Sequence, residues 1–326
     1  MYILAFETSC DDTSIALFKD NELIAMDTKS QIKEHNITSG VVPEVAARLH
    51  ANNIFLVLDN VLETSWVKIE EIDYIACTNE PWLTPSLLVW LSVAKTLSKT
   101  LKKPILLINH IKAHIFANLL ERKLDDLKFP SICLTVSGGH NELYLWKSLF
   151  ELELIWETLD DSAWEAFDKV SKMMWLSYPG WPIVSRLADE YDWTYKKIFP
   201  LVLLEKNSLD FSFSGLKSAV KREIDSRIKE NETQELSAHD KKEIAFEFQS
   251  VVIDILKHKL FQAAEKYNID SLVLAWWVSA NTKLKSEISK LAQEKWYTFI
   301  HPVNNTFSQD NAAMVWILAY YEITNK

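Results

Sequence analysis

The chain has 326 residues, 48% hydrophobic and 25% charged, with a formal net charge of −10; the length suggests two domains with ample core, and the acidic balance is no footprint of nucleic-acid binding, so such a partner needs a local basic patch or an accessory protein. No run of about eighteen apolar residues occurs, which argues against a membrane-spanning helix. The opening Met1 to Glu7 lacks the basic start of a secretory signal, and three scattered cysteines, Cys10, Cys77 and Cys133, argue against a disulfide framework and for a reducing cytoplasm.

In chain order, the apolar run Tyr2 to Phe6 predicts a strand entering the polar turn Glu7-Thr8-Ser9-Cys10-Asp11-Asp12. Ser14 to Lys19 predicts a second strand, and Asp20-Asn21 a hairpin turn into Glu22 to Met26. Apolar residues at helical spacing predict a helix over Pro43 to Asn60. A strand over Asp73 to Thr78, a helix over Leu83 to Leu101 and a strand over Pro104 to Ile108 follow, and then a helix carrying His110 and His114. A second round begins after the charged stretch Glu121 to Lys128. It has a strand over Ser131 to Val136, the turn Ser137-Gly138-Gly139-His140 and a hairpin partner over Glu142 to Trp146. Residues 160–260 read as mostly helical; a short strand over Ser271 to Ala275, a helix from Asn281 and a last helix from Asp310 complete the chain. Two rounds of strand, hairpin, strand and helix suggest a duplicated α/β unit with a cleft between its halves.

The composition holds one anomaly, thirteen tryptophans against five glycines. At the usual share of about 7%, a chain of this length carries roughly 23 glycines. Tryptophan stands where glycine belongs, as in Pro81-Trp82, Gly180-Trp181 and Trp276-Trp277. Sharp turns need the positive φ and close backbone approach that glycine allows and a bulky indole does not. A single cause fits the pattern: UGA codons meaning glycine in some bacterial lineages and tryptophan in others.

Several constellations can carry chemistry. His110-Ile111-Lys112-Ala113-His114 puts two imidazoles at i and i+4 on one helical face, within reach of one ion, with Asp310 as the candidate third ligand. Local capping or packing by the two histidines is the alternative. A zinc-protease reading wants a glutamate after the first histidine, where this chain has Ile111. Ser137-Gly138-Gly139 after a strand can cradle phosphate or be a plain hairpin turn. Thr8-Ser9-Cys10-Asp11 can meet phosphate or magnesium, or cap a turn. Two such turns facing one cleft give the layout of the actin-like (ASKHA) ATPase fold, with nucleotide between two lobes. Asp160 and Asp161 read as helix N-terminal caps, whereas Asp168 can line the cleft and bind ribose hydroxyls. Asn281 can cap its helix or touch nucleotide.

These segments together resemble the universal tRNA N6-adenosine threonylcarbamoyltransferase family, called TsaD in bacteria. The matching stretches are Glu7 to Asp12, Gly40 to Glu44, His110 to His114, Val136 to His140, Ala166 to Lys169, Asp210 to Lys217, Val278 to Asn281 and Asp310 to Met314. The resemblance implies an actin-like fold with one lobe over 1–125 plus 305–326. The other lobe is then 126–304, with a helical insertion at about 160–260. It implies one divalent metal, Fe(2+) or else zinc, on His110, His114 and Asp310. Threonylcarbamoyl-AMP is expected across Thr135, Val136, Ser137, Gly138 and Gly139, with Asp168, Trp181 and Asn281, and Asp11 is the candidate base. The implied reaction moves the threonylcarbamoyl group to N6 of adenosine 37 in tRNAs reading codons that begin with A, releasing AMP. A TsaB-like paralogue and a TsaE-like ATPase are the implied partners, and a TsaC-type enzyme supplies the adenylate.

The rivals are an actin-like ATPase or sugar kinase, a non-catalytic scaffold of the same fold, and a metalloendopeptidase. The histidine pair with Asp310 opposes the first two and Ile111 the last. Against the family pattern, Trp82, Trp90, Trp156, Trp164, Trp175, Trp181, Trp276 and Trp277 replace glycine. Trp66, Trp193, Trp296 and Trp316 are read the same way, while Trp146 fits a genuine tryptophan.

Overall fold

The computed structural model of the chain describes residues 1–38, 40–136, 139, 141–191, 194–201, 212–276, 279 and 281–325. Ser137, Gly138, His140, Trp193, Asp210, Phe211, Trp277, Val278 and Ala280, singled out above, lie outside them. The chain divides into two compact units, 1–127 with 302–326, and 128–301.

Unit 1 is built on five strands: β1 (Tyr2–Glu7), β2 (Asp12–Lys19), β3 (Glu22–Ser30), β4 (Tyr74–Glu80) and β5 (Ile105–Asn109). Their order is β3-β2-β1-β4-β5, with β1, β2 and β3 antiparallel and β4 and β5 parallel to β1. Residues Ile3 to Phe6 are wholly buried, as expected of a central strand covered on both faces. Edge strand β3 is mostly exposed. The helices are α1 (Ile32–Thr38), α2 (Pro43–Ser65), α3 (Thr84–Leu101), α4 (His110–Phe116) and, from the far end of the chain, α10 (Ala312–Thr324). Leu4, Phe6, Ile15 and Leu17 pack against Ile54, Val57 and Val61 of α2 and Trp90 of α3. On α10, Trp316 stacks on Phe18 at 3.7 Å, and this packing returns the C-terminal segment to the sheet.

Unit 2 repeats the plan. Its strands are β6 (Ser131–Val136), β7 (Asn141–Ser148), β8 (Glu151–Glu157), β9 (Ser271–Ala275) and β10 (Thr298–Ile300), ordered β10-β9-β6-β7-β8. Numbered within the unit, this is third, second, first, fourth, fifth read from the other edge, with the same antiparallel and parallel pairings. Its helices are α5 (Ala163–Met173), α6 (Gly180–Asp189), α7 (Ser214–Glu230), α8 (Ala238–Tyr267) and α9 (Thr282–Lys295). The core joins Ile132, Leu134 and Leu143 to Phe167, Val184, Phe248, Val252 and Ile288. A polar network braces α7 to α8: Arg227 pairs with Glu223, Asp240 and Glu243.

The sequence reading missed α1, β8 and β10. The first is a seven-residue helix, the last a three-residue edge strand, and β8 is an exposed edge strand that lacks clean alternation.

Eleven described non-glycine residues have positive φ, and five are tryptophans: Trp66 (59°), Trp82 (153°), Trp175 (54°), Trp276 (72°) and Trp296 (61°). Trp90, Trp156, Trp164, Trp181 and Trp316 are not in that region. Trp146 is fully buried and its indole N–H donates to Leu149 O at 3.1 Å, as a genuine tryptophan does.

Candidate metal centre and its neighbours

In unit 1, β5 ends at Asn109, whose side chain accepts from Lys112 N at 3.0 Å and so caps α4. The cap starts the helix at His110, and the i, i+4 spacing then puts His114 on the same face, ring centroids 4.6 Å apart. The third ligand arrives from the C-terminal segment. Asn311 caps α10 by accepting from Met314 N at 3.2 Å, and Ala312 N donates to Ser14 Oγ at 3.0 Å. These bonds fix Asp310 at the mouth of the helix, with Oδ1 2.9 Å from His114 Nε2 and 3.7 Å from His110 Nε2. One ligand atom from each residue lies within 4.8 Å of the others, and all three side chains are buried. Two imidazoles and one carboxylate converging in this way fit a first-row divalent metal.

The electrostatics are arranged for it. Burial and the neighbouring His110 hold His114 well below the usual histidine range, leaving the neutral imidazole that a metal requires. For His110, burial pushes down, but the Glu7 and Asp310 charges outweigh it and raise the ring above its ordinary value. Glu7 is fully buried, which alone raises a carboxyl. Attraction to His110 and hydrogen bonds from His110, Ser9 and Thr78 more than offset this, so it stays ionised. Asp11 is pushed up by burial and then by Asp310, and Asp12 by burial and Asp11, to about 8. Repulsion among these carboxylates is what a bound cation relieves. The structure therefore brings Asp11 into the same field as the three ligands. The Glu7 contact was not legible in the sequence, because nothing in the spacing pairs residues 103 positions apart.

In unit 2, Thr135 and Val136 end β6, and Thr135 lies opposite Ala275 of the parallel strand β9. Strands β6 and β9 thus end side by side at the carboxyl edge of the sheet, where open α/β sheets bind ligands. Gly139 follows β6 in the chain. Asn281 caps α9 through Leu284 N at 2.8 Å, and its amide donates to Gln249 at 3.1 Å and to Ser185 at 3.4 Å. Asp168 on α5 accepts from Gly180 N at 2.6 Å. Burial raises its carboxyl to about 6 despite that bond and one from Trp164. Trp181 is 6% exposed, 4.1 Å from Phe167 and stacked on Trp164 at 5.8 Å between centroids. Gly180 admits no side chain, since a Cβ there would meet Asp168 Cα and Phe167 O at 2.7 Å.

A family model described as TsaD, tRNA N6-adenosine threonylcarbamoyltransferase, matches residues 22–316. The chain belongs to this family. The protein of that name from Kosmotoga olearia is 42% identical over 324 residues, 98% of this chain and 93% of the relative. Those from Persephonella marina and Staphylococcus epidermidis are 42% and 41% identical over 98% of the chain, and over 90% and 91% of their own lengths. Among solved structures, component A of (R)-2-hydroxyglutaryl-CoA dehydratase from Acidaminococcus fermentans aligns at a TM-score of 0.55 with 10% identity. The alignment covers 99% of this chain and 98% of that one, a likeness of fold alone. The family makes this chain a transferase acting in threonylcarbamoylation of tRNA adenosine at N6, on an actin-like duplicated α/β fold. Among the described residues, no helix is long and apolar enough to cross a membrane.

Proposed function

We propose that this chain transfers a threonylcarbamoyl group from threonylcarbamoyl-AMP to N6 of adenosine 37 in tRNAs reading codons that begin with A, releasing AMP. The observation that carries the reading is the convergence of His110 and His114 on α4 with Asp310 just before α10. A scaffold or a sugar kinase has no use for that donor set. Two histidines and one carboxylate suit Fe(2+), and zinc is the alternative. When bound, the ion supplies Lewis acidity to a carbamoyl or phosphate oxygen.

The side chains of this protein supply the rest. Thr135 through Gly139, Asp168, position 181 and Asn281 hold the adenylate, with Asp168 on the ribose hydroxyls. The carbamoyl carbon gains a bond to N6 and loses its bond to the phosphate oxygen, while the amine proton passes to Asp11. Burial has already raised that carboxyl, which makes it a better acceptor. AMP is a good leaving group, so positioning and electrostatics carry much of the rate. The acidic chain meets tRNA in the cytoplasm with a TsaB-like paralogue and a TsaE-like ATPase, and a TsaC-type enzyme provides the adenylate.

The test combines the chain, made with glycine at the anomalous tryptophan positions, with those partner proteins, threonine, bicarbonate, ATP and unmodified tRNA. N6-threonylcarbamoyladenosine in the digested tRNA is the expected product. Its absence, where the Kosmotoga olearia relative forms it, overturns the reading.

A further inference from the structure

We propose that Glu7 is the positioning residue of the metal centre, holding His110 in the tautomer that turns the Nε2 lone pair toward Asp310; this rests on the metal reading above. Glu7 closes the central strand β1 and is completely buried. Its carboxylate is clamped on both oxygens. Oε1 accepts from Ser9 N at 2.5 Å, and Oε2 accepts from the Thr78 hydroxyl on the neighbouring strand β4. Oε2 also lies 3.2 Å from His110 Nδ1, with Ser9 Oγ 3.1 Å from the same nitrogen. Both Glu7 oxygens already act as acceptors, Oε1 from a backbone N–H and Oε2 from a hydroxyl, so the nitrogen facing Oε2 is the one that carries the proton. The other nitrogen, Nε2, is the one aimed at Asp310, 3.7 Å away. Carboxylate, imidazole and ligand site therefore stand in line, as when a partner behind a metal-bound histidine fixes its ring.

Glu7→Gln keeps the size but offers an amide whose NH2 can donate to Nδ1, which drives the ring proton onto Nε2 and blocks the ligand. Zinc or iron affinity, read by competition with a chelator, is expected to fall about 10–100-fold. In the zinc-loaded parent chain, ring-nitrogen NMR is expected to show the His110 proton on Nδ1. Unchanged affinity in Glu7→Gln, or a proton on Nε2, overturns the role of Glu7. The NMR measurement stands even where the variant does not fold. A parent chain that binds no metal, or a His110→Ala variant that binds it equally well, overturns the metal reading instead.

A separate observation, of backbone alone, carries a second inference: the natural polypeptide has glycine at positions 66, 82, 175, 276 and 296. Thirteen of 326 residues are tryptophan, yet among the described residues tryptophan fills five of the eleven non-glycine positive-φ positions. Two of them close Schellman motifs. Trp175 N donates to Lys172 O and Leu176 N to Ser171 O; Trp296 N donates to Gln293 O and Tyr297 N to Ala292 O. That left-handed position normally takes glycine, or asparagine as Asn268 does after α8. Trp66 is the left-handed C-cap of α2. Trp82 has the same φ as Gly40, 153°. Nor does burial explain the choice, because Trp66 and Trp296 are each 91% exposed. One codon read as glycine in the cell accounts for all five positions, whereas independent mutation does not select the bulkiest side chain at each. Mass spectrometry of peptides from the native source spanning Ser271 to Lys283 and Lys290 to Phe299 is expected to give glycine at 276 and 296. Tryptophan at both overturns the inference.

Discussion

Replacing Trp66, Trp175 and Trp296 together with glycine is expected to stabilise the chain by roughly 2–3 kcal/mol. A left-handed conformation costs an L-residue about 1–2 kcal/mol relative to its ordinary helical one. Glycine removes that cost and returns about 0.5–1 kcal/mol through the greater freedom of the unfolded chain. Little burial is lost in exchange, since Trp66 and Trp296 are 91% exposed and Trp175 is 54% exposed. The three sites lie far apart in sequence, at the ends of α2, α5 and α9, so their effects should add. Thermal unfolding of the 326-residue chain should then shift upward by roughly 3–4 °C. Trp146→Gly is the control with the opposite sign. It is fully buried, packs edge-on against Phe129 at 5.3 Å and makes an indole hydrogen bond, so its loss costs about 3–5 kcal/mol or more. If the triple glycine variant melts at or below the tryptophan chain, these positions are not strained.

That contrast shows where the sequence was legible. Strands with strong apolar runs were readable to a residue: Ser131–Val136 and Ser271–Ala275 are strands as expected, because both are central and buried on both faces. Helix α3 runs from Thr84 to Leu101, close to the expected span, with Pro85 in its first turn. Helix α2 extends to Ser65, beyond the expected Asn60. Its real stop is the left-handed residue 66, and a tryptophan there hides the glycine signal that ordinarily marks a helix end. The histidine pair was visible because the i, i+4 spacing is local. Asp310 was visible only as a candidate third ligand that the family resemblance then repeated, because no spacing ties it to His114 196 residues away, and Glu7 escaped both routes. Such contacts are set by strand order: β4 lies between β1 and β5, and the turn after β1 reaches α4 only in the folded sheet.

Asp310→Asn separates function from stability at the same centre. Asparagine keeps the size and an oxygen able to accept from His114, so the 2.9 Å contact survives in outline. The negative charge goes. In the metal-free protein that charge is a liability, because it raises Asp11 and Asp12 and thus opposes their ionisation. The metal-free variant should therefore be as stable as the parent within about 1 kcal/mol, or more stable, as expected where a site is kept for function at a cost in stability. Metal binding behaves in the opposite way. A ligand carboxylate contributes both a donor atom and the charge that offsets a divalent cation, and outer-sphere partners alone carry about 10–100-fold in affinity. Losing the ligand's charge should weaken binding by at least about 100-fold, and tRNA threonylcarbamoylation should fall with it. Isothermal titration with zinc, beside unfolding curves with and without metal, reads both effects. A variant that keeps parental affinity removes Asp310 from the ligand set. One that loses metal and stability together shows instead that the carboxylate holds α4 and α10 in place.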